Sequence, residues 1–310
     1  MKLVILGASG FVGRTLCDAA REAGLDFAVA SRSTGVDLSD VAVTKAFLAK
    51  ARPDFIVNCA AHVGSLNYVT QQAADIIVDN TRMILGMYES VRESCPQAVI
   101  VNPIANCAYP ATADTFVEDG WWDGHLHRSV FSYGGTRRFL WTTGECFAMQ
   151  HGIRSISLLV PNMYGPYDST DPNKAHALNA LVSKFVKAKK EGKKTLEIWG
   201  TGVAIREWLY ARDFAAIVLR ILKNPGTIGL DEPVNVAQNF GLSVRELVSI
   251  IHRHIGFDGE IRFDASKPDG APKKVMDDRR FRKVFSGFDF TDLDEGIEKT
   301  ARYYESVYPY

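Results

Sequence analysis

The chain is 310 residues long, 46% hydrophobic and 23% charged, with enough apolar material for a large core and too little charge for general disorder. Its 36 Lys and Arg offset 36 Asp and Glu, so no global field draws it to nucleic acid or to an anionic membrane, and an anionic ligand has to be held by local donors. The cysteines Cys17, Cys59, Cys95, Cys107 and Cys146 are odd in number and widely spaced, which argues against a disulfide framework or structural zinc and points to a reducing cytoplasm.

Leu3 to Leu6 form an apolar run that glycine ends far short of the ~20 residues a membrane span needs, so it reads as a buried strand, not a signal peptide. Val12, Leu16 and Ala19 share one face of a predicted helix over 13–23. A strand over 27–30, a helix over 41–51 and strands over 55–58 and 98–101 follow. A long helix is predicted over 133–150 despite two early glycines, and a strand over 155–160 returns to the sheet. This alternation is the signature of parallel βαβ units, an α/β fold of Rossmann type with helices on both faces. Beyond Pro161 the pattern loosens, with turns at Gly165-Pro166 and Asp171-Pro172, then helices over 178–190 and 242–255 and a short strand over 260–263. The lysine-rich run after Lys187 reads as a solvated helix end.

Gly7, Gly10 and Gly13 follow the first strand in a GxxGxxG spacing. Small residues there allow a tight turn and close phosphate approach, and the next helix offers free backbone amides to a pyrophosphate. The segment Gly7-Ala8-Ser9-Gly10-Phe11-Val12-Gly13 is therefore the expected dinucleotide cradle. Arg32 stands at the end of the second strand where an acid would select NAD. An arginine there pairs with the extra phosphate of NADP, so NADP is expected, with NAD as the alternative. Asp37 and Leu38 are placed at the adenine edge. Ala60 and Ala61 let the backbone pass close to the cofactor, and His62 either lines that loop or serves structure. Tyr133 and Arg137 lie four residues apart, on one helix face.

Asn58 to Gly64, Cys107-Ala108-Tyr109-Pro110, Pro161 to Pro166, Trp199-Gly200-Thr201-Gly202 with Arg206-Glu207, and Lys267 to Lys274 occur in an order that resembles an extended short-chain dehydrogenase/reductase of the GDP-L-fucose synthase group. The resemblance runs nearly end to end. It implies a Rossmann cofactor domain mainly over 1–165 and a smaller substrate-binding region mainly over 166–310, with segments around 206–240 returning to the first. It also implies that Tyr133 protonates a sugar ketone as hydride arrives, with Arg137 standing where the group carries lysine. Ala105 occupies the position of a catalytic serine, leaving Asn106 as the available donor. Cys107 and His176 match the pair that moves protons beside the ketone. Pro161, Asn162 and Met163 fall near the nicotinamide, Asn162 also near the sugar, and Trp199, Arg206 and Lys274 near the nucleotide. The implied protein is a homodimeric, NADPH-dependent epimerase/reductase of a GDP-4-keto-6-deoxyhexose. The alternatives are a nucleotide-sugar epimerase or dehydratase that retains NAD, and a catalytically weakened nucleotide-sugar-binding protein.

Overall fold

In the computed structural model, which describes residues 1–171, 174–226, 232–267 and 269–310, strand and helix alternate through the first half of the chain. β1 (Lys2–Leu6), α1 (Phe11–Glu22), β2 (Asp26–Ala30), α2 (Val41–Ala51), β3 (Phe55–Asn58), α3 (Leu66–Gln71), α4 (Ala73–Ser94), β4 (Val99–Ala105), α5 (Phe131–His151) and β5 (Ser155–Val160) come in that order. There follow β6 (Asn162–Tyr164), α6 (Ala177–Lys190), β7 (Thr195–Trp199), β8 (Ile205–Arg206), β9 (Trp208–Tyr210), α7 (Ala211–Lys223) and β10 (Val234–Asn235). Last come β11 (Leu242–Ser243), α8 (Val244–Ile255), β12 (Glu260–Asp264), β13 (Lys273–Lys274), α9 (Arg279–Val284) and α10 (Leu293–Ser306).

The main sheet is parallel, in the order β2-β1-β3-β4-β5-β10. The chain leaves β1 for β2 on one side and crosses to β3 on the other, so a crevice opens at the carboxyl ends between β1 and β3, where such sheets bind ligands. Side chains of β1 alternate between the two faces: Leu3 and Ile5 join a core with α1, α7 and α9, while Val4 and Leu6 join one with α2, α4 and α5. Each such side chain, fully buried, stabilises the fold by about 1.5–3 kcal/mol. This is the Rossmann-type α/β fold predicted.

A third core lies under α6, α8 and α10. There β7 pairs with β12, and β8 is flanked by β11 and β13. A buried carboxylate ties this region to the main sheet. Glu207, between β8 and β9, accepts the backbone N–H of Gln238 at 2.6 Å and of Met276 at 2.7 Å.

Three differences from the sequence reading have physical causes. The 22-residue helix α4 went unpredicted, because Ile77, Val78 and Leu85 on its exposed side blur the apolar period. Within the expected turn at 161–166, Asn162–Tyr164 extends as β6 to pair with β9. Leu242 and Ser243 pair with β8 as strand, and Ser243 then caps α8 reciprocally with Glu246. Pro172 of the expected turn and Pro268 of the Lys267–Lys274 segment lie outside the described residues. In the lysine-rich run, Lys187 and Lys193 both reach Glu191, a local arrangement at a helix end.

Candidate active site

The glycine turn is built to be touched. Gly7 has φ +73°, and a Cβ on it would stand 2.6 Å from the Ala60 backbone nitrogen. One on Gly13 would stand 2.2 Å from the Gly7 carbonyl oxygen. Only glycine lets β1, the first turn of α1 and the loop after β3 converge there, with Ala60 in van der Waals range of the turn. Ser9 lies in this turn, and Phe11 and Val12 open α1, so its free amides face the crevice. These residues fit a dinucleotide's diphosphate.

Beside the turn lies a cavity of about 350 Å³, lined by Ser9, Arg14, Ser31, Ser33, Thr34 and Tyr167 among others. Arg14 and Arg21 both border it, and the Arg14 guanidinium lies 4.2 Å from the Tyr167 ring centroid. Tyr167 holds φ +77°, in the left-handed region that a tyrosine seldom adopts. Neither Arg14 nor Tyr167 stood out in the sequence. Arg32 is exposed on the adjacent 3-10 turn and does not line this cavity. Asp37 accepts from Ser39, both backbone N–H and hydroxyl, and Leu38 is buried in the core.

His62 is held from both ring nitrogens, Nδ1 at 2.8 Å from Asp79 and Nε2 at 2.9 Å from the Tyr68 hydroxyl. Asn80 of α4 connects this loop to the candidate chemistry. Its Oδ1 accepts the His62 backbone N–H at 3.1 Å and Nη2 of Arg137 also at 3.1 Å. No motif marked Asn80, which lies in the unpredicted helix.

Tyr133 and Arg137 share a face as expected, the guanidinium carbon 4.9 Å from the phenol ring centroid. Arg137 is buried, and its Nε meets no partner among the described residues. Burial raises the Tyr133 pKa, an effect that the Arg137 charge opposes and the Cys107 thiol adds to. The phenol therefore keeps its proton and is able to donate it. Gly134 accounts for the approach of Tyr133 to Cys107: a Cβ there would stand 2.6 Å from the Cys107 carbonyl oxygen, so only glycine lets α5 settle this close to the end of β4.

Burial pushes the Cys107 thiol up to about 11, although Lys274 and Arg137 pull it down. Lys274 sits beside Arg206 across the β13–β8 pairing, and burial lowers its pKa. Arg206 donates to the carbonyls of Ile205 and Asp269; neither Glu207 nor Asp213 pairs with it, since Asp213 instead holds Thr291. Two neighbouring cations near the thiol suit a diphosphate. Trp199 is 62% exposed, with Lys267 Nζ 5.7 Å from its ring centroid, leaving a free aromatic face.

His176 does not contact Cys107 here. It packs on Phe11, ring centroids 5.6 Å apart, on the cofactor side, and its Nδ1 lies 3.1 Å from an Asp168 oxygen. Burial disfavours the imidazolium, but the hydrogen bond and charge of Asp168 outweigh it, so the pKa ends above its ordinary value. Asp168, another residue with no signal in the sequence, also holds Asn179. Pro161 is buried, Met163 packs against the main core, and Asn162 donates to the Glu207 carbonyl at 3.4 Å. Asn106 is 4% exposed, and its Nδ2 has no partner among the described residues.

Comparison with known proteins shows the family and the fold. The model of the NAD dependent epimerase/dehydratase family matches residues 3–237. The chain belongs to that family. GDP-L-fucose synthase of Sinorhizobium fredii (strain NBRC 101917 / NGR234) is 30% identical over 308 residues, spanning 98% of this chain and 95% of that one. A GDP-6-OMe-4-keto-L-xylo-heptose reductase from C. jejuni shares the fold with a TM-score of 0.88 at 22% identity, covering 98% of this family member and 97% of that chain. So does a GDP-L-fucose synthetase from Naegleria fowleri bound to NADP, with a TM-score of 0.86 at 22% identity, covering 99% and 94% of the two chains. No described helix is long and apolar enough to cross a membrane.

Proposed function

We propose that this family member is an NADPH-dependent nucleotide-sugar epimerase/reductase acting on a GDP-linked 4-keto-6-deoxyhexose. The observation that carries the reading is a neutral Tyr133 phenol packed against a permanent cation, Arg137, and beside Cys107, at the sheet edge that carries the glycine cradle. Support comes also from the GDP-L-fucose synthase likeness and from the solved relative that holds NADP.

The glycine turn and the α1 amides hold the cofactor diphosphate, and the loop at Ala60, Ala61 and His62 flanks it. Arg137, its free Nε buried, orients the nicotinamide ribose. Pro161, Asn162 and Met163 would line the nicotinamide side of the site, with Asn162 also available to the sugar. The bound cofactor supplies hydride to the sugar carbonyl carbon. Tyr133 gives its proton to the carbonyl oxygen, which Asn106 Nδ2 stabilises by donating a hydrogen bond. Arg206 and Lys274 bind the substrate diphosphate, and the open face of Trp199 stacks on the base. Cys107 and His176 exchange protons at the carbons flanking the ketone.

Incubating the protein with GDP-4-keto-6-deoxymannose and NADPH should consume NADPH stoichiometrically with a reduced GDP-sugar. In deuterium oxide, label should also enter C3 and C5. No product and no label would end the reading. A second reading, reduction without epimerisation, is favoured by Cys107 and His176: burial pushes the thiol up to about 11, and His176 is turned to Phe11 and Asp168. NADPH consumption without label uptake would select it.

The protein is further proposed to be a homodimer joined through α4 and α5. Those helices pack side by side and expose Ile77, Val78 and Leu85 on one and Phe131 and Met149 on the other, an apolar face of the kind that a symmetric partner covers.

A further inference from the structure

Ala105 removes a hydroxyl from the place where a ketone's oxygen is held, so the site needs another donor beside Asn106. Asn106, Cys107, Lys274 and His127 line one narrow cleft. His127 stands at the entrance to α5, six residues before Tyr133, and caps the short 3-10 turn Arg128–Val130 that leads into that helix. Its Nδ1 accepts the Ser129 backbone N–H at 3.3 Å and lies 2.7 Å from the Ser129 hydroxyl.

That contact fixes the ring chemistry. A nitrogen that accepts an amide N–H presents its lone pair, so the neutral imidazole carries its hydrogen on Nε2. Nε2 has no hydrogen-bond partner among the described residues. The cleft thus holds a half-buried ring whose tautomer is set on one side and whose N–H is left over on the other. Two hydrogen bonds with α3 keep the turn in place: Thr70 donates to the Ser129 carbonyl at 3.0 Å, and Ser132 donates to the Val69 carbonyl at 3.0 Å. Such bracing is what a donor that must be ready before the ligand arrives requires.

We propose that His127 is a substrate-contacting residue whose Nε2–H donates a hydrogen bond to the C4 carbonyl oxygen, supplying what a serine hydroxyl at position 105 would supply. This rests on the keto-sugar reading of the cleft. No proton leaves the ring. Hydride adds to the carbon, the oxygen takes the Tyr133 proton, and His127 only shares its hydrogen with the oxygen as negative charge grows there.

The test is a substitution cycle. His127→Phe keeps an aromatic ring but no donor, and should lower kcat on the order of 100-fold while the Kd for GDP stays unchanged. Adding Ala105→Ser to that variant should restore about tenfold or more of the lost rate. His127→Gln, which keeps an N–H, should fall between. A His127→Phe rate close to that of the parent protein would overturn the assignment, as would a loss that Ala105→Ser fails to repair. If the unaltered protein binds and reduces no GDP-keto sugar, the keto-sugar reading falls, and His127's part falls with it. A loss confined to the variants sinks the His127 assignment alone when serine brings no rescue.

Discussion

At the level of single residues, the site is a set of groups whose protonation is set by neighbours. His176 shows the sign most plainly. Folding raises its pKa above the ordinary 6.5, with Asp168 overcoming burial, and lowers that of Asp168 below 3.8, because the contacts with His176 and Asn179 outweigh burial. A raised imidazole contributes stability that is fully present below its unfolded value and is lost as pH rises through the folded one. A depressed carboxyl contributes above its unfolded value and loses it as pH falls. The pair therefore stabilises most between the two ordinary values. The melting-temperature gap between the parent protein and His176→Gln should be largest near pH 5.5 and close toward pH 9. A gap that widens with pH would contradict the ion pair.

Much of this residue layer was legible beforehand, and the reason is local chemistry. Gly7, Gly10 and Gly13 announce themselves because their spacing answers a backbone need that no other residue meets. Tyr133 and Arg137 do so because four residues make one helical turn. Asn80, Asp168 and Arg14 gave no such sign. Their work depends on which distant segment they meet: Asn80 joins His62 to Arg137, Asp168 holds His176, and Arg14 meets Tyr167 across the cavity. A sequence shows a residue's type and its near neighbours, and these three act on far ones. Arg32 is the converse, a strong local signal on a side chain that stands outside the cavity.

At the scale of elements, α5 carries the proposed acid Tyr133 and its neighbour Arg137, and α4 holds Arg137 through Asn80. The strands and helices of the first half could be read from periodicity because a parallel sheet buries its strands on both faces and its helices on one. α4 escaped because it has two apolar sides, one toward the sheet through Ile76, Ile84, Met87 and Val91 and one toward solvent. The close seat of α5 depends on Gly134. Replacing a helical glycine by alanine ordinarily stabilises by about 0.5–1 kcal/mol. Here the added methyl would meet the Cys107 carbonyl oxygen at 2.6 Å, and backbone does not yield cheaply. Gly134→Ala should instead lower the melting temperature, and it should lower kcat as Tyr133 is pushed from the end of β4. A variant that melts higher and keeps its rate would show that the helix has room to move.

At the scale of the whole molecule, the second apolar side of α4 becomes the expected join between two copies. Leu85 is 37% exposed and Ile77 42% exposed, so a charge at either costs the isolated chain little and the dimer much. Ile77→Glu with Leu85→Glu should convert a dimer to a monomer in analytical ultracentrifugation while the far-ultraviolet circular dichroism stays unchanged. A parent protein that sediments as a monomer would dispose of the join.

The convergence at Gly7 also limits how this protein could be re-engineered. Between that turn and Ala60 there is no space for even one added carbon, whereas Ser9, Ser31 and Ser33 border open volume. Attempts to swap one nicotinamide cofactor for another should therefore leave the floor of the cradle alone and work from its outer rim, where bulk and charge can be exchanged without disturbing the strands beneath.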